Sequence, residues 1–219
     1  MTRKKFNLIV FDWDGTLMDS TAAIVKSIQA AADSLGLPVP DRETAAHVIG
    51  LGLYEAMEAV MPGADDAIYR QMADRYRQYY LQFSQEILLF DGVIDMLEDL
   101  AASHYMLAVA TGKSRRGLDR VLLETGTGHF FHATRTADQT YSKPHPAMLQ
   151  EITEELGESM RHTVMIGDTT HDLLMASNAG AAGIAVQYGA HPIEELKRLN
   201  PLYTAESVTG LHNWLKNNA

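Results

Sequence analysis

Short unbroken apolar runs recur along the chain: residues 6–11 read FNLIVF, 105–110 YMLAVA, 163–166 TVMI and 183–186 GIAV. None alternates with polar positions, the pattern of strands buried on both faces of a parallel sheet. Between the runs the apolar positions take up helical spacing, at Val93, Leu97 and Leu100, then Leu118, Val121 and Leu122. The same period returns at Met148, Leu149, Ile152 and Leu156, and again at Leu173, Leu174 and Ala176. Strand alternating with helix predicts an α/β fold, a doubly wound, Rossmann-like parallel sheet. A last short strand over 202–204 and a helix over 207–216 are expected to close the chain.

One interval breaks the regularity. About ninety residues separate Asp14 from the run at Tyr105, whereas a βαβ crossover needs only ~30. The helix over 93–100 suffices as the crossover, which leaves an inserted helical unit. Within it Ile24, Ile28, Ala31 and Leu35 form one stripe, and Ile68, Met72, Tyr76, Tyr79 and Phe83 another. Gly36-Leu37-Pro38-Val39-Pro40 and Met61-Pro62-Gly63 punctuate it. An aromatic stripe at this spacing reads as a bundle core before it reads as a ligand box. The expected division is a core of residues 1–16 plus 89–219 and an α-helical cap of residues 17–88.

Composition narrows the functional classes. At 219 residues, 46% hydrophobic and 21% charged, the chain can bury a core and is neither collagenous nor wholly disordered. Without cysteine, thiolate metal sites, disulfides and cysteine nucleophiles are excluded, so any metal must use oxygen or imidazole ligands. Eighteen basic against twenty-eight acidic residues give a net charge of −10, which argues against a nucleic-acid partner. No apolar run approaches the ~18–20 residues that cross a bilayer, so no membrane partner is expected. The start Met1-Thr2-Arg3-Lys4-Lys5 leads into a stretch too short for a signal peptide, and the expected location is cytoplasmic.

Chemistry-bearing residues gather where these strands end. Asp12-Trp13-Asp14-Gly15-Thr16 follows the first run, and its two carboxylates converge only if the chain leaves the pleat at Asp14, a turn that Gly15 permits. Thr111-Gly112-Lys113-Ser114 follows the second, where unsatisfied amides of a helix start can cradle an anion. Ser142-Lys143-Pro144-His145-Pro146 presents a lysine, with Pro144 expected in the first helical turn. Gly167-Asp168-Thr169-Thr170-His171-Asp172 ends the next strand and sets two carboxylates four apart, which calls for a compensating cation. Each segment alone reads equally as a helix cap. Together, at the edge where open α/β sheets bind ligands, they read as one site.

This quartet resembles the four motifs of the haloacid dehalogenase-like hydrolase superfamily, and the inserted helices resemble its phosphoglycolate phosphatase-like branch. Gly112 departs from that branch, which more often has asparagine before the lysine. The resemblance implies a magnesium-dependent phosphatase of small phosphorylated metabolites, 2-phosphoglycolate among the candidates. Asp12 would be the nucleophile that forms an aspartyl-phosphate, and Asp14 the acid that protonates the leaving oxygen and then activates water. Magnesium would be held by Asp12, the backbone carbonyl of Asp14 and Asp168. Thr111 and Gly112 would bind phosphoryl oxygens, Lys143 would neutralise charge, and Asp172 would orient Lys143 or a water on the metal. A monomer or homodimer is expected.

Two other readings share parts of this constellation. A phosphomutase of the β-phosphoglucomutase kind would return the phosphoryl group to a sugar. A non-enzymatic phospho-receiver also combines a sheet-edge Asp, a hydroxyl and a Lys, but receivers are about half as long and carry no inserted helices. A dehalogenase proper needs neither Asp14 nor a metal, and a phosphonatase resembles a form with alanine at that position. Lys113, Arg115 and Arg116 could help to bind an anion, though a solvated helix face is the simpler reading. The pair His129 and His132 lacks a third ligand for zinc and reads as loop or surface. The loop around Gly50-Leu51-Gly52-Leu53 either reaches the substrate or is only a turn.

Overall fold

The computed structural model describes residues 5–84 and 86–219. Residues 1–4, which begin the segment judged too short for a signal peptide, and Gln85, within the expected cap, lie outside that description. Six parallel strands form one sheet in the order β3-β2-β1-β4-β5-β6. They are β1 (Leu8–Phe11), β2 (Met106–Thr111), β3 (Ala133–Thr136), β4 (Thr163–Gly167), β5 (Ala182–Val186) and β6 (Tyr203–Ala205). The winding reverses at β1, which pairs β2 on one side and β4 on the other, with Phe11 level with Val109 and Ile166. That reversal opens a crevice at the strands' C-terminal ends.

Alternate side chains of β1 explain its unbroken apolar run. Ile9 and Phe11 enter one core with Val93, Met96, Leu97, Leu100, Leu118 and Leu211, from helices α5 (Val93–Ala102), α6 (Arg115–Thr125) and α10 (Val208–Asn218). Leu8 and Val10 enter the opposite core with Met148, Leu149, Ile152 and Met175, from α7 (Ala147–Leu156) and α8 (Thr170–Ala179). Helices therefore cover both faces. The short α9 (Ile193–Arg198) packs through Leu196 on Ala185 and Leu173.

The inserted segment folds as α1 (Thr21–Ser34), α2 (Arg42–His47), α3 (Leu53–Val60) and α4 (Asp66–Phe83), around a separate core of Ile24, Ile28, Val48, Met57, Met72 and neighbours. The chain enters and leaves these helices side by side, because Asp19 donates its amide to Leu88 O at 3.0 Å and Phe90 donates to Leu17 O at 3.0 Å.

β3 went undetected in the apolar pattern. Its sequence Ala-Thr-Arg-Thr occupies the sheet edge, where Arg135 turns outward to pair with Glu151 at 2.8 Å and Glu155 at 2.7 Å. Pro144 also departs from expectation. It follows a cis peptide from Lys143, and α7 begins three residues later behind Pro146. Among the described residues no helix is long and apolar enough to cross a membrane.

Truncating fully buried Leu107 to alanine should destabilise the fold by about 2–5 kcal/mol, while truncating Leu88, 74% exposed, should cost less than ~0.5 kcal/mol. Urea denaturation at neutral pH measures both, and equal costs would contradict this assignment of the core.

Candidate active site

Asp12 is fully buried, and its amide still extends the sheet by donating to Ile166 O at 2.9 Å. Beyond it the chain folds into a tight turn in which Leu17 and Met18 both donate to Trp13 O at 3.0 Å. Gly15 is required here twice over. Its φ is +75°, and a Cβ would stand 2.2 Å from Asp168 Oδ2. Neither Asp14 nor Thr16 caps a helix, since α1 begins at Thr21 behind Ser20. Instead Thr16 Oγ1 donates to Asp168 Oδ1 at 2.8 Å, while the Ala190 amide donates to Oδ2 at 2.7 Å.

Lys143 is the hub. Its Nζ lies 2.7 Å from Asp12 Oδ1 and 2.7 Å from Asp172 Oδ1, with all three side chains buried. Asp172 is fixed by a capping box at the start of α8, its Oδ2 accepting from Thr169 Oγ1 at 2.7 Å and from the Thr169 amide at 3.0 Å. Asp168 precedes that helix rather than opening it. Carboxylate oxygens of Asp12, Asp168 and Asp172 nevertheless lie within 4.8 Å of one another. Asp12 Oδ2 is buried and has no partner among the described residues.

This crowding sets the proton affinities. Burial raises Asp12 to about 7, against the lowering effect of Lys143, with Asp172 and Asp14 adding to the rise. Burial also lifts Asp168 well above the ordinary carboxyl value, reinforced by the charges of Asp12 and Asp172. For Lys143 burial works downward but is outweighed by Asp12 and Asp172, so its ammonium is held above the ordinary value.

Thr111 is buried at the end of β2 and accepts from the Lys113 amide at 3.2 Å. Gly112 is the seat for the loop between α2 and α3, because a Cβ there would stand 2.3 Å from Leu51 O and 2.6 Å from Gly50 O. The same loop is tied down by Gly52, whose amide donates to Ser142 Oγ at 2.7 Å. The segment at Gly50 and Leu51 thus rests on the sheet edge, and an asparagine at position 112 has no room beneath it.

Lys113 departs from the expected solvated helix face. Its side chain is only 9% exposed, with Nζ 2.9 Å from Asp14 Oδ1 and donating to Tyr80 Oη at 3.2 Å. The structure also gathers a histidine group, of which only His171 lies within a motif segment. His171 Nε2 and His191 Nε2 both donate to His47 O, at 2.9 and 3.0 Å, and the His47 ring stacks on His191 at 4.5 Å. Burial, then His171 and His47, depresses His191 to about 4. Lys113 carried a signal, its position two residues beyond a strand end; His47, on a separate helix, carried none.

A family model described as haloacid dehalogenase-like hydrolase matches residues 9–186. The chain is 36% identical over 203 residues to a protein named "Probable phosphatase IndB" from Dickeya dadantii, covering 89% of this chain and 86% of that one. It is 27% identical over 220 residues to a phosphoglycolate phosphatase of Vibrio parahaemolyticus, covering 96% of each. The crystal structure of a predicted phosphatase from Clostridium acetobutylicum superposes with a TM-score of 0.86 at 26% identity, over 97% of this chain and 99% of the other.

The raised pKa of Asp12 has a consequence for metal-free stability. Between its ordinary 3.8 and about 7 the folded carboxyl keeps a proton that the unfolded chain has released, so its contribution is full below that window and lost as pH rises through it. His191, depressed from 6.5 to about 4, acts in the opposite sense, so the reference is Asp12→Asn, which leaves it in place. Relative to that variant, wild type should lose stability steadily from pH 4 to pH 7 in urea melts with chelator present; a difference that stays constant or shifts in favour of wild type would contradict the assignment.

Proposed function

The chain belongs to the haloacid dehalogenase-like hydrolase family, and from that premise we propose that it is a magnesium-dependent phosphatase of small phosphorylated metabolites, working through a phosphorylated Asp12. The observation that carries the reading is the Asp12 carboxylate. One oxygen is braced by Lys143, while the other is buried at the sheet edge without a protein partner, available to attack.

The donor set suits magnesium. Three buried carboxylates face one ammonium in the cluster, and the candidate ligands are hard oxygens. Asp12, Asp168 and the backbone carbonyl of Asp14 would hold the ion, with Asp172 bracing Lys143 behind them. Bound there, magnesium supplies positive charge that offsets repulsion between an anionic nucleophile and an anionic phosphate.

The protein's own groups divide the rest. Asp12 Oδ2 bonds to phosphorus as the phosphorus–leaving-oxygen bond breaks, and Asp14 gives its proton to that oxygen. Water then attacks the phosphorus and passes a proton to Asp14, the bond to Asp12 breaks, and phosphate leaves. Thr111 Oγ1 and the Gly112 amide bind phosphoryl oxygens, and the Lys143 ammonium balances their charge. Residues 17–88 act as a cap whose loop at Gly50 and Leu51 meets the leaving group, which favours small substrates. The name of the Vibrio relative makes 2-phosphoglycolate the first metabolite to try.

Asp12→Asn should lower turnover of p-nitrophenyl phosphate by at least ~10³-fold while leaving the fold intact, and wild type should stop in excess chelator and resume with magnesium. The assay is inorganic phosphate release without any bisphosphate activator. Wild-type rates in the variant, or in chelator, would overturn the reading.

A further inference from the structure

We propose that Lys113 and Tyr80 are positioning residues for Asp14: an ammonium held from the helical side by a phenol determines which carboxylate oxygen of Asp14 meets the leaving group. The inference rests on the phosphatase reading and deepens it by naming what aims the proton donor.

The restraints on Asp14 are one-sided. Lys113 Nζ lies 2.9 Å from its Oδ1, and Ser20 Oγ donates to the same oxygen at 2.6 Å. No hydrogen bond or ion pair among the described residues is seen on Oδ2. A carboxyl group pinned by two donors on one oxygen can turn only the other toward substrate, and proton transfer demands hydrogen-bond distance. Lys113 is in turn pinned from α4, donating to Tyr80 Oη at 3.2 Å with its Nζ 4.9 Å from the Tyr80 ring centroid. Tyr80 stacks on Tyr76 at 5.7 Å and has the Arg120 guanidinium 6.0 Å from its ring, so the phenol is itself fixed in place. Side chains from the β2 edge and from the residue before α1 thus converge on one carboxylate oxygen, and α4 holds the first of them in place.

A lysine that only attracted the anionic phosphate would affect all substrates alike. A lysine that aims Asp14 matters most where the leaving oxygen must receive a proton and least where it departs readily as an anion. Ethyl phosphate and p-nitrophenyl phosphate bracket that range. Lys113→Met should therefore lose kcat/KM on ethyl phosphate on the order of tenfold more than on p-nitrophenyl phosphate. Lys113→Arg, which keeps a cation able to reach Asp14, should recover most of that difference, and Tyr80→Phe should shift the ratio in the same direction by less.

Equal losses on the two substrates in a folded Lys113→Met would overturn the inference and leave the phosphatase reading standing. If Lys113→Met does not fold by circular dichroism, Tyr80→Phe carries the test, and an unchanged substrate ratio there overturns it. Absence of Asp12-dependent hydrolysis of p-nitrophenyl phosphate by wild type would overturn the phosphatase reading and this inference with it.

Discussion

Three carboxylates are sunk in the interior around one ammonium, and the local structure is arranged to keep them there. Lys143 touches Asp12 and Asp172 at 2.7 Å each, yet a single positive charge does not balance the cluster. Burying charge is costly unless it is paired and hydrogen-bonded, so the surrounding chain supplies what it can. Thr16 and the Ala190 amide serve Asp168, and the Thr169 capping box serves Asp172. Glycines stand where side chains would collide with these carboxylates: a Cβ on Gly167 would lie 2.2 Å from Asp172 Cγ. Among the described residues Asp12 Oδ2 is the cluster oxygen met by neither a hydrogen bond nor Lys143, and it is where the chemistry is assigned.

The sheet makes this concentration of charge possible. Strand β1 is covered on both faces, so its end is rigid, and the reversal of winding beside it brings the ends of β2 and β4 to the same edge. The helices α1–α4 have a core of their own and reach the edge through few contacts: the loop carbonyls over Gly112, the Gly52 amide on Ser142, His47 beneath two histidines, and Tyr80 on Lys113. Those contacts are mainly polar and local, with Ala190 adding apolar packing on the helices' own core. They suit the role of a cap over the site proposed for these helices.

Much of this was legible in the sequence because buried parallel strands leave apolar runs and the site residues follow them directly. β1, β2, β4 and β5 announced themselves in that way, as did the two stripes of the inserted helices. β3 did not, because an edge strand bearing the partly exposed Thr134 and Arg135 has no apolar run to show. Asp12, Asp14, Asp168 and Lys143 could be named from motif positions, but that Lys143 bridges Asp12 to Asp172 depends on where a loop and a helix cap fall in space. The burial of Lys113 was illegible for a similar reason. Its partners Asp14 and Tyr80 lie 99 and 33 residues away, and a lysine at a helix start is ordinarily solvated.

If the carboxylate cluster is short of positive charge, a divalent cation should stabilise the folded chain whether or not any substrate is present. Thermal unfolding of wild type with magnesium and with chelator tests this directly. At an ion concentration about a hundredfold above Kd the midpoint should rise by roughly 5–10 °C, and Asp168→Asn should forfeit most of the rise. Identical midpoints with magnesium and chelator in wild type, or an undiminished rise in Asp168→Asn, would contradict the account.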